Sequence, residues 1–244
     1  MIRCILGLLV SLFLVGPPSA QTNTNTSAKG YRVFSTLPCG PEAPGLVLEM
    51  LRDPRIKPGA AAWELEQEEN VSYNHALLNL KNAHGKIVDT VTFDREMAWL
   101  EPARLIQGTR FYFITVDLTA PMGSYSGPTT KIFTIKDGKI QWTKYRDLKT
   151  GKLWTFNLAQ CMKRNWKWTT TNDILQESCD TVGVTKGDQK KFPPKDGKVG
   201  ADFEIHLKRF SFNNGEWQCK TKVKPGYLDI EDMDKQFPKE SEFP

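Results

Sequence analysis

Apolar and polar positions alternate along this chain in the manner of strands. Residues 110–118 (RFYFITVDL) form an almost unbroken aromatic and β-branched run, which predicts a central strand. Between Ile87 and Phe93 the pattern alternates imperfectly: Ile87, Asp89, Val91 and Phe93 share one face, Val88, Thr90 and Thr92 the other. That periodicity fits a strand better than a helix. With the β-prone run at 76–80 before it and Asn82-Ala-His-Gly85 between, it predicts a hairpin. Two further hairpins centre on Asp137-Gly138 and Asn214-Gly215, dipeptides that accept the left-handed backbone of a two-residue turn. Aligned on their glycines, 77 positions apart, they form two similar units, each preceded by another strand candidate, at 111–118 and at 174–180.

Other stretches punctuate these strands. Three prolines and two glycines make residues 37–45 (LPCGPEAPG) a loop, and 46–52 fits either a short helix or a strand. The predicted fold is mainly β, built of antiparallel sheets and either sandwich-like or partly propeller-like. A full propeller needs at least about four blades of some 40 residues, and the N-terminal half holds no copy of the repeat, so a sandwich is preferred. The chain divides into a β-rich region at 31–105, the main antiparallel region at 106–228 and an extended acidic tail at 229–244. Proline keeps that tail out of regular helix, and its repeated Phe-Pro pairs could pin it to the β-core.

The longest apolar run, residues 5–15, follows Arg3 and precedes Pro18-Ser19-Ala20, which reads as a signal peptide over 1–20 cut before Gln21. It is too short for the roughly 20 residues that span a bilayer, and no second such run follows. A polar leader at 21–30 (QTNTNTSAKG) comes next. The expected location is therefore secreted or periplasmic, with no membrane span after signal removal. An oxidising compartment makes Cys39, Cys161, Cys179 and Cys219 disulfide candidates. The preferred bridge lies among Cys161, Cys179 and Cys219, leaving Cys39 to tie down the N-terminal segment or to stay unbridged. Their spacing, with three histidines in the whole chain, gives no metal motif.

Charge changes the picture modestly. The chain carries a net +5, but residues 131–224 hold 20 Lys and Arg against 10 Asp and Glu, while 229–242 holds six acids and two lysines. Such asymmetry can attract an anionic partner or draw the tail onto a basic face. Export discounts nucleic acid as that partner.

Candidate chemistry is sparse. Gly123-Ser-Tyr-Ser-Gly-Pro128 combines backbone freedom with three hydroxyls, which nominates Ser124, Tyr125 and Ser126 for ligand binding if the chain has a recognition site, although a turn between strands is the preferred reading. Tyr125 stands where a nucleophile elbow would need serine. Asp117, at the end of the strongest strand, is a candidate carboxylate without an evident partner acid. In Lys163-Arg-Asn-Trp-Lys-Trp168, cations beside indoles suit a sugar or an anionic glycan, which nominates Trp166 and Lys167. Read as a strand, Met162, Arg164, Trp166 and Trp168 face one way and Lys163, Asn165 and Lys167 the other, as in a half-buried strand with a basic outer face. His206 reads as structural. No catalytic set, calcium loop, phosphate loop or dinucleotide fingerprint is present, so no cofactor is expected.

Residues 116–128 (VDLTAPMGSYSGP), the Asp137-Gly138 hairpin, Trp217, Pro225-Gly226 and the closing Phe-Pro pair together resemble a group of exported bacterial β-rich proteins of uncharacterised function. The resemblance implies a periplasmic or exterior setting and no particular activity. The expected function is a non-enzymatic binding or accessory protein whose partner is an envelope protein or glycan. The alternatives are a cell-envelope hydrolase using Asp117, or an inhibitor of a secreted enzyme.

Overall fold

The computed structural model describes residues 30–54, 74–94, 96–118, 127–161, 163–181, 202–227 and 237–244. Strands β1 (Arg32–Pro38), β2 (Val47–Arg52), β3 (Asn74–Lys81) and β4 (Ile87–Asp94) form a first sheet in that order, so 46–52 resolves as strand. Strands β5 (Glu96–Ile106), β6 (Thr109–Leu118) and β7 (Thr129–Lys136) follow as a meander in a middle sheet, and β8 (Lys139–Trp142) extends it on β7. The chain then enters a third sheet with β9 (Lys144–Asp147) and β10 (Leu153–Thr155), and returns to β7 as β11 (Leu158–Ala159). Strands β12 (Arg164–Trp168), β13 (Ile174–Thr181), β14 (Asp202–Asn213) and β15 (Glu216–Tyr227) complete the third sheet in the order β10-β9-β15-β14-β13-β12. All named pairings are antiparallel except that of β9 with β15.

Hydrophobic burial stacks these sheets in three layers. Strand β6 is buried on both sides, as an unbroken apolar run requires. Its Tyr112, Ile114 and Val116 pack with Leu48, Met50, Leu78 and Leu80 of the first sheet. Its Phe111 and Phe113 pack with Ile174, Phe210, Phe212 and Trp217 of the third. Strand β7 divides its side chains likewise, with Phe133 on one side and Ile132 on the other. The fold is thus a sandwich of stacked sheets, and the propeller-like alternative is set aside. Because β5 and β6 are a hairpin in one sheet, residues on either side of position 105 belong to the same layer.

The predicted turns are found. Asp137-Gly138 (φ 53° and 68°) and Asn214-Gly215 (φ 52° and 80°) close β7–β8 and β14–β15. Each hairpin is the second half of a meander, β6–β7–β8 and β13–β14–β15. A third turn of this kind, Gln107-Gly108 (φ 47° and 80°), closes β5–β6 and carries no Asn or Asp to announce it.

The outer face of the third sheet is covered by residues 237–244. Phe237 and Phe243 stack with centroids 5.5 Å apart over Leu175, Cys179, Ile205 and Leu207. Arg209 clamps the segment: its Nε donates to the Pro244 carbonyl (2.9 Å), and its guanidinium also meets Asp173 and Glu240. Lys224 Nζ pairs with Glu242 at 2.8 Å. The tail is therefore pinned by its phenylalanines, extended apart from one 3-10 turn at Glu240–Glu242.

The disulfide expectation is corrected: no bridge joins Cys39, Cys161, Cys179 and Cys219. Cys179 packs in the cluster under the tail, Cys219 in the cluster against the middle sheet, so the two lie on opposite faces of one sheet. Burial pushes their thiols up to about 12 and about 11, which keeps them protonated and poorly nucleophilic. No helix among the described residues is long and apolar enough to cross a membrane. The signal, the leader as far as residue 29 and the tail portion 229–236 lie outside the described residues.

Candidate functional site

A cleft of about 420 Å³ opens where the edge strand β12 of the third sheet faces the middle sheet. Its middle-sheet wall is one rung of cross-strand neighbours: Trp99 on β5 pairs with Thr115 on β6, which pairs with Thr130 on β7. Trp166 and Trp168 of β12 form the opposing wall, two residues apart and hence on one face of the strand. Trp168 is held edge-on to Phe113 (5.4 Å) and touches Trp217 (6.5 Å), which anchors the cleft in the core between the sheets.

A bulge supplies the charges. The β5–β6 register slips between Glu101 and Arg104, across Pro102-Ala103. Regular alternation would point residues 101 and 104 to opposite sides; the extra residue brings both into the lining. Proline is tolerated there because β5 is the edge strand of its sheet. Glu101 Oε1 accepts hydrogen bonds from Trp99 Nε1 (2.8 Å) and Thr115 Oγ1 (3.0 Å). Since that bond uses the Thr115 proton, the 2.8 Å contact between the two threonine hydroxyls is donated by Thr130. The result is a relay, Thr130 to Thr115 to Glu101, that fixes the carboxylate. The Arg104 guanidinium lies 4.3 Å over the Trp168 ring, a cation–π contact that holds it across the opening. Trp166 Nε1 is shut off from solvent and has no hydrogen-bond partner, an uncommon state for a buried donor.

The nominated residues separate on this frame. Trp166 lines the cleft. Asp117 follows Phe113 and Thr115 on the same face of β6, one step past the lining, and burial raises its carboxyl above the ordinary carboxylate range. Lys167 faces the other way, with its Nζ 4.5 Å from the Phe237 ring under the tail. The alternation read from the sequence therefore holds, and it divides Lys167 from Trp166. Ser124, Tyr125 and Ser126 lie outside the described residues. The chain is next described at Gly127, where a side chain would run into the Gln160 carbonyl, and Pro128 and Gln160 then complete the lining. Trp99, Glu101 and Arg104 carry most of the polar chemistry and were not nominated. The available signal was Pro102 inside an otherwise β-prone run, which marks an edge strand or a bulge.

Three indole faces offer stacking surface, while a fixed carboxylate, a guanidinium, an amide and two hydroxyls offer directed hydrogen bonds. This is the usual make-up of a small-molecule pocket, apolar walls with a few oriented polar groups. Among the described residues no cluster of His, Cys, Asp and Glu could hold a metal. No family model, curated protein or solved structure matches this chain.

Proposed function

We propose that this is an exported, non-enzymatic binding protein that takes a glycan of the cell envelope into the tryptophan cleft. The observation that carries the reading is the convergence of Trp99, Trp166 and Trp168 with Glu101 and Arg104 in one cleft of about 420 Å³. A sugar ring has an apolar C–H face and a rim of hydroxyls, so it matches indole walls and paired donors and acceptors together. A nucleic-acid strand suits the cleft less well, because Glu101 sets a carboxylate where phosphate would approach. Export rests on the n-region, apolar run and small-residue end of residues 1–20.

The test is a glycan array followed by calorimetry on the purified chain. Saturable binding of an envelope oligosaccharide is expected, with Trp166→Ala weakening it at least tenfold, about 1.4 kcal/mol. Trp166 is only partly buried, so this variant keeps its fold. Absence of any glycan ligand, or undiminished affinity in the variant, would overturn the reading.

The hydrolase alternative has one observation in its favour. Glu101 reaches Thr115, two residues from Asp117 on the same face of β6, and Asp117 is the carboxyl that burial makes easier to protonate. Two carboxyls with unlike environments are what acid–base cleavage of a glycosidic bond employs. Reducing-end release from envelope polysaccharide, abolished by Asp117→Asn, is what an enzyme would give. Binding without turnover is what the proposed function expects.

A further inference from the structure

The inner face of the third sheet does not end at the tryptophan cleft. Its cross-strand rungs change character step by step along the strands. The rung Trp168–Ile174–Phe210 is core; the next is Trp166–Gln176–Lys208; then come Arg164–Ser178–His206 and Asp180–Glu204. Beyond the first rung a second cavity, of about 430 Å³, opens beside Thr155 and Asn157 and shares no lining residue with the cleft. Arg164, Ser178, Asp180, His206 and Lys208 line it, with Tyr145 and Trp154 as aromatic walls.

This surface is built rather than merely solvated. Gln176 is 94% buried by its 6% exposure, and its amide donates to the Asn157 carbonyl at 3.3 Å, which ties the 155–160 segment to the cavity floor. His206 Nε2 is closed off from solvent without a hydrogen bond, 3.6 Å from both Asp180 and Glu204. Burial pushes the Tyr145 phenol up to about 12, so it stays a donor. Trp154, half-exposed, presents an open indole at the rim.

We infer that this cavity is a second ligand site, for a carboxylated sugar. Arg164 and Lys208 stand on β12 and β14, either side of β13 and one rung apart, about 12 Å from each other at the backbone. Long side chains from both can meet a carboxylate placed over Gln176 and Ser178, the guanidinium in bidentate fashion. Asp180 on the other side accepts from sugar hydroxyls, and Trp154 and Tyr145 give the ring a stacking face. The acid opposite the cations limits the site to ligands with one anionic end, unlike a phosphate chain. The site is separate from the cleft, so its test does not depend on what the cleft binds.

The experiment titrates the purified chain with glucuronate and with N-acetylmuramate, using glucose and N-acetylglucosamine as neutral controls. Saturable binding of either acid, at least tenfold tighter than its neutral control, is expected; which acid binds tells whether the carboxylate sits on the ring or on a lactyl ether. Arg164→Gln and Lys208→Gln should each weaken it at least tenfold, while Lys139→Gln, at the exposed β7–β8 turn, leaves it unchanged. Chemical-shift changes should centre on Ser178 and His206, a readout that does not require any variant to fold. Equal binding of acid and neutral sugar, no binding, or shifts confined to the cleft would overturn the inference.

Discussion

Replacing Trp217 with alanine is expected to lower the unfolding free energy by about 3–5 kcal/mol, the range for excising a large aromatic from a packed core. Its indole is 1% exposed and lies within 5.5 Å, centroid to centroid, of Phe111, Phe156 and Phe212. Phe111 belongs to the middle sheet and Phe212 to the third, so the cavity would open between the layers. Globular domains hold about 5–15 kcal/mol in all, and such a loss is a large part of that reserve. Trp217→Phe should lose far less. The native indole leaves its Nε1 buried without an acceptor, a burden of about 1–3 kcal/mol that phenylalanine does not carry. Urea unfolding of the two variants beside the native chain measures both effects. An alanine variant within 1 kcal/mol of native by this ledger of cavity costs would show that the layers are not joined here. Because Trp168 leans on Trp217, the alanine variant should also bind glycan more weakly at the cleft, and the phenylalanine variant should not.

A second large effect concerns Glu177, which is buried on the outer face of the third sheet beneath the tail. Burial raises its carboxyl from 4.5 to about 7, with Glu242 adding to the rise and Lys224 opposing it. The folded protein therefore binds a proton that the unfolded chain has released between pH 4.5 and 7. The sign follows: this group's contribution is intact below pH 4.5 and is lost as pH rises through about 7. At 1.36 kcal/mol per unit the full loss is about 3 kcal/mol. Glu177→Gln cannot ionise, so it should be about 2–3 kcal/mol more stable than native at pH 8 and nearly equal to it at pH 4. Unfolding curves at the two pH values test this. The same charge has a local result. Once ionised, Glu177 competes with Glu242 for Lys224, so the protection of amides in residues 239–243, measured against the intrinsic exchange rate at each pH, should fall above pH 7 in the native chain but not in the variant.

Several elements could be read directly from residues. Residues 110–118 announce a strand covered on both faces because nothing polar interrupts their alternation until Thr115 and Asp117. The Asp-Gly and Asn-Gly turns announce themselves because those residues take positive φ at little cost. Gln107 does the same work without belonging to that vocabulary, and its turn was not foreseen. The basic-aromatic strand showed its parity correctly, which places Trp166 within and Lys167 without.

The cleft was legible only from one side. Trp166 and Asp117 were nominated, but Glu101 and Arg104 share a face only because a bulge at Pro102 shifts the period, and regular alternation assigns them to opposite sides. Glu177 was hidden for another reason. Its neighbours along the strand are ordinary, and what buries it is a segment some sixty residues further along the chain.

The lone parallel pairing among the described strands, β9 with β15, sets the order in which the molecule can be completed. It joins Tyr145 to Trp217, 72 positions apart, whereas the strands of the first sheet and β5 to β8 each pair with a neighbour in sequence. Contacts of such separation form late and slowly. As synthesis proceeds from the N-terminus, one side of the middle sheet gains its cover early, while the other, with Phe111, Phe113 and Ile132, waits for Phe210, Phe212 and Trp217 to be made. Until then the chain carries an uncovered aromatic surface, and the last long hairpin acts as the closing piece of the whole assembly.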